Sequence, residues 1–199
     1  MAKKSKNETE ITIARPNIVT VNVGIVGSSP LIVHKWSEKA KQEMLAKQTK
    51  KAKGAKEAKD PEQQYRDSLY IREDGEYGFP AGGIKKAAVR GGKYLDQQMT
   101  FLRGAFHVMG EMIPIDGEPR MREDMVRVDG GKTADIRYRP EFSKWESTVP
   151  VELNASVLSV EQLANLFYIG GFAVGIGDWR PETDGQFGRF TVDWVETVK

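Results

Sequence analysis

Three stretches of the chain gather side chains that could do chemistry, and that chemistry is the binding of a polyanion. In Phe79-Pro80-Ala81-Gly82-Gly83-Ile84-Lys85-Lys86-Ala87-Ala88-Val89-Arg90, glycines precede a predicted helix and two lysines follow at its start. Glycine lets a backbone approach a ligand closely, and the free amides at a helix start favour an anion. Between Gly175 and Phe190, Trp179 and Phe187 offer ring faces to bases, while Arg180 and Arg189 offer guanidinium groups to phosphates or to cation–π contact. Stacking of that kind contributes about 1–3 kcal/mol per base and tolerates any sequence. The third stretch, Lys35 to Lys59, holds nine lysines against three glutamates. Each phosphate that such a surface neutralises adds a salt-sensitive increment of affinity.

Catalysis finds less support. His34 and His107, the two histidines, are far apart and neither has an acid at ligand spacing. The first reads as a loop histidine and the second as a structural residue of a strand. Glu111, Asp116, Glu118, Glu123 and Asp124 form an acidic group of the kind that can hold Mg²⁺. Arg120, Arg122 and Arg127 are interleaved with it, so local ion pairs are the simpler expectation. No phosphate-loop or nucleophile-elbow motif occurs. The absence of cysteine rules out thiol chemistry, iron–sulfur clusters and cysteine-ligated zinc, and it fits a reducing compartment. No catalytic residue, metal or cofactor is expected.

The bulk properties are neutral by comparison. A length of 199 residues suits one elaborated domain with a core that needs no staple, and a formal net charge of +2 says nothing about partners. No apolar run approaches the roughly 20 residues of a membrane span, and no apolar stretch follows the charged N-terminus as in a secretory signal. A cytoplasmic protein with no membrane partner is expected.

These residues must be placed by a scaffold, which hydrophobic periodicity outlines. Residues 1–12 read as a disordered arm, and 13–199 as one domain with a helical insertion over about 35–72 and an extended insertion over about 109–135. Asn17 to Val26 alternates as a strand, with Val19, Val21, Val23 and Ile25 on one face. Ser37 to about Ala58 is composed of helix formers anchored by Met44 and Leu45, and Pro61 starts a second short helix. A short strand at Tyr77–Phe79 leads to a helix from Ile84 to about Leu95, and Phe101–Val108 reads as a core strand. Ala134–Phe142 places Arg137 and Arg139 opposite Ile136, Tyr138 and Phe142. With Trp145–Leu153 it predicts a hairpin about Ser143-Lys144. Ser159 and Gln162 form a capping box before Val160, Leu163, Ala164 and Phe167, and Gly170-Gly171 supplies a stop. Arg189–Val195 is the last strand. The order strand, helix, strand, strand, helix, strand predicts an α+β fold of the ferredoxin-like or RRM-like kind, with two helices on one face of a four-stranded antiparallel sheet. The other sheet face and the loops after each helix are left free for binding.

At this point the sequence resembles a known family. Phe79-Pro80-x-Gly82-Gly83-x-Lys85-x-Ala87-x-x-Arg90 resembles the helix start of the repeat-associated (RAMP) proteins of CRISPR effector complexes. Gly175-x-Gly177-x-x-Arg180, continued by Gly185-x-x-Gly188-x-Phe190, resembles their C-terminal glycine-rich loop. Whole-chain character, including Pro30 to His34 and Gly117 to Arg122, is similar to a bacteriophage-encoded group related to the RAMP backbone subunit. The resemblance implies an RRM-like core with a helical insertion and a hairpin or thumb, assembled head to tail along single-stranded nucleic acid without base readout. It implies backbone contacts by Lys85, Lys86, Arg90, Arg180 and Arg189. Asp178, Glu182 and Asp184 depart from the pattern by diluting the charge of the loop. The expected function is non-catalytic binding of single-stranded nucleic acid, DNA or RNA with DNA favoured, by a homo-oligomer acting in phage replication or recombination in the host cytoplasm. Its surface is expected to comprise Lys85, Lys86, Arg90, Arg137, Arg139, Trp179, Arg180, Phe187 and Arg189. The alternative is a phage assembly protein or a mimic of a CRISPR subunit.

Overall fold

A computed structural model describes residues 14–36, 38–49, 60–128 and 130–198. The predicted N-terminal arm and the second half of the lysine-rich helix lie outside the described residues. Strand β1 (Ile18–Gly27) buries Val21, Val23 and Ile25 on one face, as its alternation requires. After the break at Gly27–Pro30 comes a two-residue strand, β2 (Leu31–Ile32), then α1 (Glu38–Gln48) and α2 (Pro61–Asp67). Asp60 caps α2 by accepting from the Gln63 amide at 3.1 Å, and Pro61 occupies the first helical position. Met44 and Leu45 were expected to anchor α1. They are instead 45% and 60% exposed, because the helix has too few apolar residues to define a buried stripe.

Strand β3 (Gly78–Pro80) runs straight into α3 (Ala81–Gly91), which a 3₁₀ turn extends over Gly92–Leu95. The segment expected as a strand over 101–108 is mostly helix: α4 (Met99–Ala105) followed by the short β4 (Phe106–Val108). Leu102 and Ala105, three apart, are its buried side, and Phe101 is left 43% exposed. That spacing is helical.

Strands β5 (Met112–Pro114), β6 (Pro119–Val128), β7 (Thr133–Phe142) and β8 (Glu146–Asn154) follow, and here the predicted hairpin is corrected. β7 pairs with β6 over ten residues and with β2, whereas β8 pairs with β1 and β4. The Ser143-Lys144 link is a corner at which the chain changes sheets. Trp145 fills that corner, 3% exposed, with its indole N–H donated to the Ser29 carbonyl at 2.9 Å. β6 escaped the alternation test because the face it shares with β7 carries paired charges rather than apolar side chains.

Helix α5 (Val160–Ile169) begins with the predicted capping box, Ser159 and Gln162 exchanging bonds of 3.1 and 2.9 Å. It does not stop at Gly170-Gly171. A π-helical turn continues to Val174, and Gly175, at φ 69°, ends it. The chain closes with β9 (Phe190–Val198).

The main sheet has the antiparallel order β4-β8-β1-β9, and α3 and α5 cover the face carrying Val21, Val23, Val149 and Val151. This is the ferredoxin-like arrangement the element order predicted. β2-β7-β6 and β3-β5 form two smaller sheets. α3 meets the π-turn backbone to backbone. A Cβ on Gly91 would lie 2.7 Å from the Gly170 nitrogen, and one on Gly170 would lie 2.8 Å from the Ala87 carbonyl oxygen. That contact holds the glycine-rich loop beside the start of α3. Gly170→Ala is expected to overpack it and cost about 1–3 kcal/mol of stability, measured by urea unfolding.

Candidate nucleic-acid interface

Because α3 lies against the π-turn, the two motifs singled out in the sequence face each other. Gly83, Lys86 and Ala87 of α3, with Gly175, Ile176, Gly177 and Arg180 of the loop, line one cleft, joined by His34, Tyr70 and Asp178. A second cleft, of about 440 Å³, adjoins it through Lys86 and Glu182. It gathers Lys85, Lys86, Arg90 and Lys93 from α3 and its extension, and Arg103 from α4. Among the described residues lining it, five are cations and one, Glu182, is a carboxylate. Low-dielectric walls around charges of one sign focus the field into the solvent.

The cations differ in how they are held. Lys86, Lys93 and Arg103 are exposed. Lys85 is half-buried; its ammonium donates to the Arg103 carbonyl at 2.9 Å and lies 3.0 Å from His107 Nδ1. Burial lowers its pKa. Arg90 is ion-paired to Glu182, and Arg180 donates to the same carboxylate at 3.1 and 3.3 Å and to the Gly177 carbonyl at 3.2 Å.

The remaining predicted residues line neither cleft. Arg139 is 2% exposed: it donates to Asp124 and to Asp178, each at 2.7 Å, and stacks 4.5 Å from the centre of the Trp179 ring. Such a guanidinium is a strut joining β7, β6 and the loop. Trp179 and Phe187 were expected to stack on bases. Their rings meet Arg122 at 5.4 and 4.8 Å and each other at 6.0 Å, so the cation–π contacts are internal. Arg137 stands opposite Asp124 on the same hairpin face, nearer the tip, and Arg189 lies 5.4 Å from the Phe172 ring. The loop glycines serve the loop's own folding. A Cβ on Gly188 would collide with the Ile176 carbonyl, and one on Gly177 with that of Ile32.

Two features are not legible in the sequence. Arg103 was hidden by the strand assignment of its helix. His34 lies 3.6 Å from Asp178, an approach across 144 positions that no local pattern encodes. The local ion pairing expected of the extended insertion is present at Asp124, which takes bonds from Arg122 and Arg139, and Glu141 of β7, 2% exposed, takes bonds from Arg120 and Arg122. Burial pushes the Glu141 carboxyl up, but the hydrogen bonds from Arg122 and Arg120 outweigh it and hold its pKa below the ordinary value. Asp178 is likewise raised by burial and lowered further by His34 and Arg139.

The order of the main sheet and the two helices on one face define an RRM-like α+β fold. No family model and no curated protein sequence matches the chain. Solved structures do. A chain of the type III-B Cmr-beta complex bound to cognate target RNA superposes with a TM-score of 0.51 at 10% identity, over 92% of this chain and 61% of that one. Cmr6 from Pyrococcus furiosus gives a TM-score of 0.48 at 12% identity, over 89% of this chain and 99% of its own. No helix among the described residues is long and apolar enough to cross a membrane.

Glu141 and Asp178 titrate lower in the folded chain than in the unfolded one. Their contribution is therefore complete above about pH 4, the ordinary carboxylate range, and is lost as pH falls through their folded values. Thermal melts are expected to hold between pH 7 and 5 and to drop below about pH 4. Arg139→Met leaves Asp178 with His34 alone and the buried Asp124 with Arg122 alone, with an expected loss of about 3 kcal/mol in urea unfolding.

Proposed function

We propose that this chain is a non-catalytic protein that binds single-stranded nucleic acid through its phosphates and assembles along it. The observation that carries this is the cleft lined by five cations against one carboxylate among the described residues, at the junction of α3, α4 and the glycine-rich loop. Gly82, on its rim, supports the same reading. It is exposed within a helix, at a backbone conformation open to any residue, and a Cβ there would meet nothing within 4 Å. No packing demands glycine at this position, whereas close approach of an external backbone would. The contacts are Lys85, Lys86, Lys93 and Arg103, with Arg90 and Arg180 deeper in the groove. Arg139 is not among them, and Trp179 and Phe187 act by shaping the loop.

Phosphates are common to DNA and RNA. The RNA-bound Cmr-beta assembly keeps RNA within the proposal. A role in coating phage DNA during replication or recombination requires oligo-dT to bind at least as tightly as oligo-U. A second reading, a subunit that docks other proteins, is favoured by the open sheet face. Glu146, Glu152 and Glu196 are exposed there, and Trp194 lies across Gly24. That face repels phosphates. Stable oligomers that form without nucleic acid would support this second reading.

Fluorescence anisotropy with labelled oligo-dT and oligo-U tests the proposal. Replacing Lys86, Lys93 and Arg103 together by alanine is expected to weaken binding at least tenfold at low salt. The slope of log affinity against log salt should fall by about 2, at about 0.7 for each phosphate no longer neutralised. Failure of the unaltered protein to bind either oligonucleotide at low salt overturns the reading. Gly82→Ala separates function from stability. It should raise unfolding free energy by about 0.5–1 kcal/mol while weakening binding.

A further inference from the structure

Glu182 sits where the two clefts meet, and its carboxylate is held by two guanidinium groups from different elements. Arg90 reaches it from α3, and Arg180 from the loop through both Nε and Nη2. Planar guanidinium groups converging on one oxyanion are the usual recognition of phosphate as well as of carboxylate. The carboxylate is presented by a tight turn. The amides of Thr183 and Gly185 donate to the Arg180 carbonyl at 2.9 and 3.1 Å, and that of Asp184 donates to Pro181 at 3.1 Å. Trp179 at φ 52° and Asp184 at φ 62° flank the turn in the left-handed region, which non-glycine residues seldom adopt. The turn and these two left-handed residues thus fix Glu182 against Arg90 and Arg180.

We propose that Arg90 and Arg180 form a phosphodiester-binding site of the single-strand groove, and that the Glu182 carboxylate occupies it until a strand displaces it. This rests on the nucleic-acid reading above and adds to it an internal competitor. Exchanging one anion for another leaves the charge balance of the arginines unchanged. The displaced carboxylate is partly exposed already, so it returns to water without being buried elsewhere. A groove interrupted in this way discriminates against single small anions. Inorganic phosphate must win the exchange alone, whereas a strand anchored on Lys86 and Arg103 brings its next phosphate at high local concentration.

Glu182→Gln tests this, with binding to oligo-dT, oligo-U and inorganic phosphate measured across a salt series. The expected result is three- to tenfold tighter binding of the oligonucleotides and a salt slope steeper by about 0.7, the increment for one further phosphate. Inorganic phosphate should also compete for Glu182→Gln but not for the unaltered protein. In an Arg90→Gln, Arg180→Gln background the substitution should bring no gain. Should Glu182→Gln fold poorly by circular dichroism, NMR of the Arg90 and Arg180 Nε–H signals in the unaltered protein replaces it. Those signals must shift on adding oligo-dT. Unchanged affinity and slope, or unshifted arginine signals in a protein that binds strands, overturns the inference and leaves the functional reading standing. A protein that binds neither oligonucleotide overturns both.

Discussion

A guanidinium taken out of water has to be met by carboxylates, and Arg139 is met by two from distant parts of the chain. Asp124 comes from the long β6–β7 hairpin and Asp178 from the glycine-rich loop, and the Trp179 ring covers the guanidinium. Removing one member of such a group costs far more than an exposed ion pair contributes, because the charge left behind is buried. The loop is therefore held to the hairpin on one side, as Gly91 and Gly170 hold it to α3 on the other. Between these two attachments its geometry leaves Arg180 and Glu182 facing α3. The cationic cleft follows from that placement.

Charge is sorted across the molecule in a way the net value of +2 conceals. Cations collect where α3, α4 and the loop meet, while acids occupy the open face of the main sheet. Field strength at a surface depends on local distribution, so a near-neutral chain can attract a polyanion at one end. The sheet face is left for a different kind of neighbour. On the proposed function, the helix-and-loop side of the RRM-like fold is the one that meets nucleic acid.

Much of the scaffold could be read from spacing alone. The valines of β1, the capping box at Ser159 and the order of the core elements all follow from local rules, and all stand in the structure. The β6–β7 pairing could not be read that way, since Arg122, Asp124 and Glu141 fill the face where apolar residues would have signalled a buried strand. For the site, Lys85, Lys86, Arg90 and Arg180 lie at one junction, on the two segments that glycines mark in the sequence. Arg139, Trp179 and Phe187 looked like ligand contacts for a physical reason: the side chains suited to stacking on bases and pairing with phosphates are equally suited to stacking on and pairing with one another. Composition cannot tell these uses apart; for Arg139, burial against two carboxylates does.

Hydrogen exchange of the backbone amides, with and without a saturating single-stranded oligonucleotide, tests the location of the interface most directly. An interface at the cationic cleft predicts slowed exchange in residues 81–93 and 99–105 and in the loop from 175 to 189, with the strands of the open sheet face unchanged. Protection confined to β1, β8 and β9, with none in α3 or the loop, would contradict it.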